Sequence, residues 1–136
     1  LKLAYLKGQR DFSMQVGTAL ELQRTHLAGV NFNQAKLTKA NFQGADLSSA
    51  NFGKVDLSQA VLRNARLGRA YFNYANLENA DLRGADLSYA CLSNANLRGA
   101  NLCGADLTGA TISEEQLAMA RTNWSTTYPN GRRGIL

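Results

Sequence analysis

Histidine occurs once in this 136-residue chain, at His26, and cysteine only twice, at Cys91 and Cys103. With a single imidazole, no Ser-His-Asp or Cys-His arrangement can be placed, and no Cys/His cluster has zinc spacing. No glycine-rich phosphate loop follows a strand and opens a helix, so the glycines read as turn residues. No apolar stretch approaches the ~20 residues of a transmembrane helix. Charge is sparse at 18%, against 45% hydrophobic residues, which fits one domain with a core running along its length. No catalytic residue, cofactor or metal is expected.

What the chain does have is a period of five. Every fifth residue from Phe32 to Ile112 is Leu, Phe or Ile, and from Leu37 onward Ala stands two residues before each, with Val55 the exception. On an α-helix each step of five rotates about 140°, which leaves no apolar stripe. In one long strand an odd period alternates faces. The pattern is satisfied if the chain turns once per repeat. Ala35 and Leu37 then point inward together, a bend follows at Thr38 and Lys39, and Ala40 and Phe42 point inward again. Repeated bends wrap the chain around a narrow core as a solenoid.

Two residues after the large position stand Gly29, Gly44, Gly84, Gly99, Gly104 and Gly109, with Asn at 64, 79 and 94. These types tolerate the positive φ of a type II turn. Lys39, Lys54, Arg69, Tyr74 and Tyr89 tolerate it poorly, so a mixture of turn types is expected. Phe32, Phe52 and Phe72 lie twenty apart, as four sides per coil require, and Phe42 falls off that register.

The run Ala-Asn-Phe-Gln-Gly, Ala-Asp-Leu-Ser-Ser, Ala-Asn-Phe-Gly-Lys at 40–54 resembles the pentapeptide-repeat family, whose motif is A(D/N)LXX. Residues 80–89 fit equally well, and the match runs over about 20–112. The resemblance implies an all-β fold, a right-handed quadrilateral parallel β-helix of about five coils, most like the compact cyanobacterial members. Lys36, Val61, Arg66 and Tyr71 depart from Asp/Asn singly.

Three segments are expected: an N-terminal cap with a short helix and an imperfect first coil at 1–19, the β-helix at 20–112, and a C-terminal helical cap and tail at 113–136. Gly8 stops a helix over Leu1–Leu6, and Gly17 leaves its slot without a large side chain. At the other end Ser113 and Gln116 form a capping box, and Ile112 with Leu117 a hydrophobic staple. These predict a helix from Glu114 to Arg121, with Leu117, Met119 or Ala120 over the last coil. An irregular tail containing Trp124, Tyr128 and Pro129 follows.

Stacking by twenty aligns His26, Asp46, Arg66, Asp86 and Asp106 on the outside, about 4.8 Å apart. A cation site or an acid/base pair is one reading. Asp and Asn bonding to their own turns is the other, and it explains why they fill this slot so often. The net charge of +5 is uneven. Arg63, Arg66, Arg69, Tyr71 and Tyr74 share one coil, Arg83 stacks on Arg63, and Tyr89 on Arg69. Arg and Tyr are enriched at binding hot spots. The alternative is a solvated belt with a few cation–π contacts. Eight positive and six negative residues fall between 31 and 110, so no continuous basic stripe follows the rod and nucleic acid is not an expected partner.

The expected function is a non-catalytic structural or protein-interaction module with an unidentified protein partner and without a membrane span; the sequence leaves the oligomeric state open, with the monomer favoured. Within the family, DNA mimics that bind type II topoisomerases are the alternative, with weak nucleic-acid binding through the Arg/Tyr belt beside it. A basic, short, loop-free chain disfavours mimicry. Some other right-handed β-helices are polysaccharide-cleaving enzymes with clefts built from long inserts, and none interrupts 31–112. Cys91 and Cys103 fall on different sides, so two unpaired thiols in the cytoplasm are expected. Because the sequence starts at Leu1, the periplasm and the thylakoid lumen stay open.

Overall fold

The computed structural model describes residues 1–134. Parallel bridges join Asp11 to Asn31, Asn31 to Asn51, Asn51 to Tyr71 and so on, each partner twenty residues further along. A turn closes every five residues, so one coil has four sides. The first side carries Asp11, Asn31, Asn51, Tyr71, Cys91 and Thr111. The second carries Val16, Lys36, Asp56, Asn76 and Asn96. Glu21, Asn41, Val61, Asp81, Asn101 and Arg121 mark the third, and His26, Asp46, Arg66, Asp86, Asp106 and Thr127 the fourth.

Adjacent coils exchange backbone hydrogen bonds at every side. The Leu37 N–H donates to the Asp56 carbonyl at 2.8 Å, and the Asp56 N–H donates back to Ala35 at 2.9 Å. Each corner closes with a bond such as Ala40 N–H to Leu37 O, 3.1 Å. Every fifth residue from Met14 to Gly109 has positive φ, between +55° and +76°. The mixture of turn types expected from the sequence is therefore not found: Lys39, Lys54, Arg69, Tyr74 and Tyr89 adopt the same left-handed corner as glycine. Stacking is the cause. The Lys39 N–H is held by Ser58 O in the next coil at 3.0 Å, and such bonds around the coil outweigh a left-handed penalty of about 1–2 kcal/mol per residue.

The paired large and small side chains point inward and are fully buried, from Phe32 and Ala35 to Leu107. Phe12, Phe32, Phe52 and Phe72 form one ladder on the first side, with Phe52 and Phe72 stacked at 5.0 Å and 9°. Phe42 sits on the third side and meets the Phe52 ring edge-on at 6.2 Å. Its departure from the twenty-residue register thus places it across the core. At Gly17 the missing side chain is replaced from its neighbour. A Cβ there would lie 2.7 Å from Leu20 Cδ1, so Leu20, standing in a small-residue slot, fills the space.

At the N-terminal end α1, Lys2–Leu6, lays Leu1, Ala4 and Tyr5 on the core, and the Tyr5 hydroxyl donates to Ala28 O at 2.8 Å. At the other end α2 spans Glu114–Met119, with the Ser113–Gln116 capping box formed. It stops short of Arg121 because Ala120 is extended and the Arg121 N–H rejoins the ladder at Ala100 O, 2.8 Å. The tail is more regular than its sequence implies. Arg121 bridges Asn101, Thr127 bridges Asp106, and Tyr128 is 8% exposed beyond Leu107. The second bridge spans twenty-one residues, and the extra residue is taken up at the corner around Trp124.

Candidate functional site

Outward side chains stand at fixed positions because the inward pattern leaves the chain no freedom of register. The Asp/Asn slot bonds to its own turn. Asp46 Oδ1 accepts the Ser48 N–H at 3.1 Å and its hydroxyl at 2.7 Å, and Asp56, Asp86 and Asp106 repeat the pair. The Ser48 hydroxyl is the main reason the Asp46 carboxyl lies below the usual carboxylate range, with smaller pulls from Arg66 and His26. His26, Asp46, Arg66, Asp86 and Asp106 do line one side. Among the described residues no group of His, Cys, Asp and Glu has the arrangement to hold a metal ion.

The Arg/Tyr belt divides into separate settings. On the third side Arg63 and Arg83 both grip Asp81. Arg83 forms a two-point pair, Nε to Oδ1 at 2.9 Å and Nη2 to Oδ2 at 2.7 Å. Arg63 Nε lies 2.8 Å from Oδ2 with its N–H out of line, so the contact is ionic and that buried nitrogen has no hydrogen-bond acceptor. The hydrogen bond from Arg83 holds the Asp81 carboxyl below its ordinary range and raises Arg83 in turn. Asp81 was not a sequence candidate. The signal for it was present, since it stands two residues before Arg83 and one coil above Val61.

Arg66 lies on the fourth side between Asp46 and Asp86. Arg69 occupies the corner between the fourth and first sides, its guanidinium 5.0 Å from the centroid of the Tyr89 ring. Tyr71 begins the first side next to it, and a groove of about 380 Å³ runs between Ser49, Arg69, Ala70, Tyr71, Tyr89 and Cys91. Tyr71 and Tyr89 are each 56% exposed. Gly109 lies under the Tyr89 ring, where a Cβ would collide with it. Tyr74 stands exposed at the next corner. So one corner gathers Arg69, Tyr71 and Tyr89, while Arg63 and Arg83 stand at the corner between the third and fourth sides and turn to Asp81. Ser49 and Cys91 join the groove because they stack twenty residues from Arg69 and Tyr71.

Of the C-terminal residues, Gln116 does more than cap α2. Its Nε2 donates to Leu92 O at 2.6 Å, which also accepts the Ala95 N–H, and to Ala95 O at 3.0 Å, a carbonyl with no backbone donor. Leu117 packs on the core, whereas Trp124 projects into solvent, 74% exposed. Cys91 and Cys103 are free and stand on the first and third sides. Among the described residues no helix is long and apolar enough to cross a membrane.

Stacked four-sided coils with an alternating large and small interior define a β-helical repeat solenoid. The family model for pentapeptide repeats (8 copies) matches residues 21–53, 50–88 and 90–114. The chain belongs to the pentapeptide-repeat family, whose fold is a right-handed β-helix and which serves as a structural repeat module. HetL of the cyanobacterium Nostoc sp. strain PCC 7120, a pentapeptide-repeat protein involved in heterocyst differentiation regulation, superposes with a TM-score of 0.80 at 34% identity. The match covers 82% of this chain and 47% of HetL, so the chain spans about half of HetL's length. Rfr23 from the cyanobacterium Cyanothece 51142, also a pentapeptide-repeat protein, superposes with a TM-score of 0.69 at 28% identity, covering 93% of this chain and 97% of Rfr23. Comparison with curated proteins finds no match.

Proposed function

We propose that this chain is a non-catalytic interaction module: a rigid rod of about five four-sided coils, closed by a helix at each end, that docks a partner protein at its Arg69 corner. The observation that carries this reading is the groove in which Arg69, Tyr71 and Tyr89 converge, half-exposed on a backbone held by ladder bonds on both sides. Tyr and Arg supply large contact area from few rotatable bonds, which is why they dominate interface energetics. The neighbouring first side is uncharged around Tyr71, Asn73 and Tyr74, so a partner meets little charge to desolvate there. Arg66, Tyr74, Arg63 and Arg83 form the surroundings of this site, and the last two already have Asp81 as counter-ion. The Asp46, Asp56, Asp86 and Asp106 carboxylates are bound to their own turns, which supports the non-catalytic reading. Two free thiols on different sides fit a reducing compartment such as the cytoplasm.

Affinity capture from cells that express the protein tests the reading. The double variant Arg69→Ala/Tyr89→Ala should lose the captured partner, and Arg63→Ala/Arg83→Ala should keep it. Loss only with the second pair moves the site to the third side and overturns the assignment.

A further inference from the structure

The four sides of the rod differ in charge. The second carries Asp56 and Glu78, the third Glu21 and Asp81, and the fourth Asp46, Asp86 and Asp106. On the first side no Asp or Glu stands above Asp11 until α2 begins at Glu114, because Asn, Tyr, Cys and Thr fill its outward bridge positions. Its two cations over this stretch stand at its two edges. Arg69 is at the corner shared with the fourth side, and Lys54, one coil below Tyr74, at the corner shared with the second. Both are exposed, and neither belongs to the two ion pairs among the described residues.

Arg69 is held in place without a counter-ion. Its guanidinium lies 5.0 Å from the centroid of the Tyr89 ring, and that ring rests over Gly109, where no Cβ stands in its way. A guanidinium lying against a ring keeps its N–H edge free, and that edge matches a carboxylate at two points. Asp86, on the adjoining fourth side, forms no ion pair with it. The Asp86 Oδ1 accepts the Ser88 N–H at 2.9 Å and the Ser88 hydroxyl at 2.6 Å, and Oδ2 lies beside Gly68.

Resting on the docking corner argued above, we propose that the segment docked there is an acidic peptide segment of the partner. It seats one Asp or Glu on Arg69, crosses the first side over Tyr71, and brings a second carboxylate to Lys54. The match is one of charge: two unpaired cations on a side that offers no carboxylate to repel the segment. The fourth side argues for a peptide over a nucleic acid. A nucleic acid carries a charge at every phosphate, and at the Arg69 corner it would run beside Asp46, Asp86 and Asp106. A peptide places carboxylates at two positions and stays neutral elsewhere.

Selection from a random peptide library displayed on phage, with the full chain as bait, tests this. The bound pool should be enriched in Asp and Glu and depleted of Lys and Arg. A selected peptide, labelled for fluorescence anisotropy, should bind Arg69→Gln/Lys54→Gln about tenfold or more weakly, and its affinity should fall as salt rises. That variant should fold, as circular dichroism reports, because Gln34 and Gln59 already hold the same left-handed corner. Tyr89→Ala distinguishes the corner from its chemistry. A pool without acidic bias that Tyr89→Ala abolishes keeps the docking corner and overturns the acidic partner. Binding unmoved by both Tyr89→Ala and the Gln pair removes the corner itself, and this inference with it. An oligothymidylate that binds more tightly than the selected peptide, and is lost with the Gln pair, assigns the corner to nucleic acid and overturns the proposal.

Discussion

Truncating Phe52 to alanine strikes the solenoid where its coils grip one another hardest. The side chain is fully buried, and its ring lies 5.7 Å from Phe32 at 18°, 5.0 Å from Phe72 at 9° and 6.2 Å from Phe42 at 72°. Loss of a buried Phe costs about 3–5 kcal/mol through transfer and cavity terms. Each aromatic pair adds about 0.5–1.5 kcal/mol beyond its buried area. Three pairs vanish together, so Phe52→Ala should fall near the top of that range, about 5 kcal/mol. Leu87→Ala, also fully buried but outside the ladder, should cost about 3 kcal/mol. Phe52→Leu separates the contributions, because it keeps aliphatic volume and loses only the rings; about 1–2 kcal/mol is expected. Equilibrium urea unfolding followed by far-UV circular dichroism measures all three. A Phe52→Ala cost below about 2 kcal/mol, or one no larger than for Leu87→Ala, would refute the idea that the ladder binds neighbouring coils.

The corners give a prediction of opposite sign. Lys54→Gly and Tyr74→Gly remove left-handed strain at φ +55° and +60°, and each should stabilise by about 0.5 kcal/mol after the entropy of glycine in the unfolded chain is subtracted; a lower thermal midpoint in either variant would argue against strain. Gln116→Ala leaves Ala95 O and the Ser113 N–H without their partner and should cost about 1–3 kcal/mol, seen as faster hydrogen exchange at Ala95 and Leu117 before global unfolding. Asp81 has its folded pKa depressed, chiefly by the Arg83 hydrogen bond. Its contribution is therefore present above the ordinary Asp value of about 4 and lost as pH falls through the depressed value. Asp81→Asn should flatten the fall in stability on acidification, and an unchanged slope would show that the clamp on Asp81 is energetically silent.

The inward residues were legible because they repeat without insertion. Ala35 to Leu107 fixed the period, and the Phe12–Phe72 ladder follows from the twenty-residue coil. Local propensity misled at the corners, where Lys39 and Tyr74 take glycine's conformation under the pull of bonds from the next coil. The last turn of the ladder was hidden for a different reason. Thr126 replaces Ala, its hydroxyl bonding Leu102 O at 2.9 Å, and Tyr128 replaces Leu. Only backbone pairing reveals these as the same slots. The outer surface was legible as positions and not as contacts. Stacking by twenty places Tyr89 by Arg69, but rotamers decide that Arg63 turns to Asp81 while Arg69 lies by an aromatic face.

A photoreactive phenylalanine analogue at position 71, compared with the same group at position 61 on the opposite side, tests the docking corner most directly. The account predicts one dominant crosslinked partner from position 71, abolished by Arg69→Ala/Tyr89→Ala, and none from position 61. Equal crosslinking from both positions, or a partner captured only from 61, would contradict it.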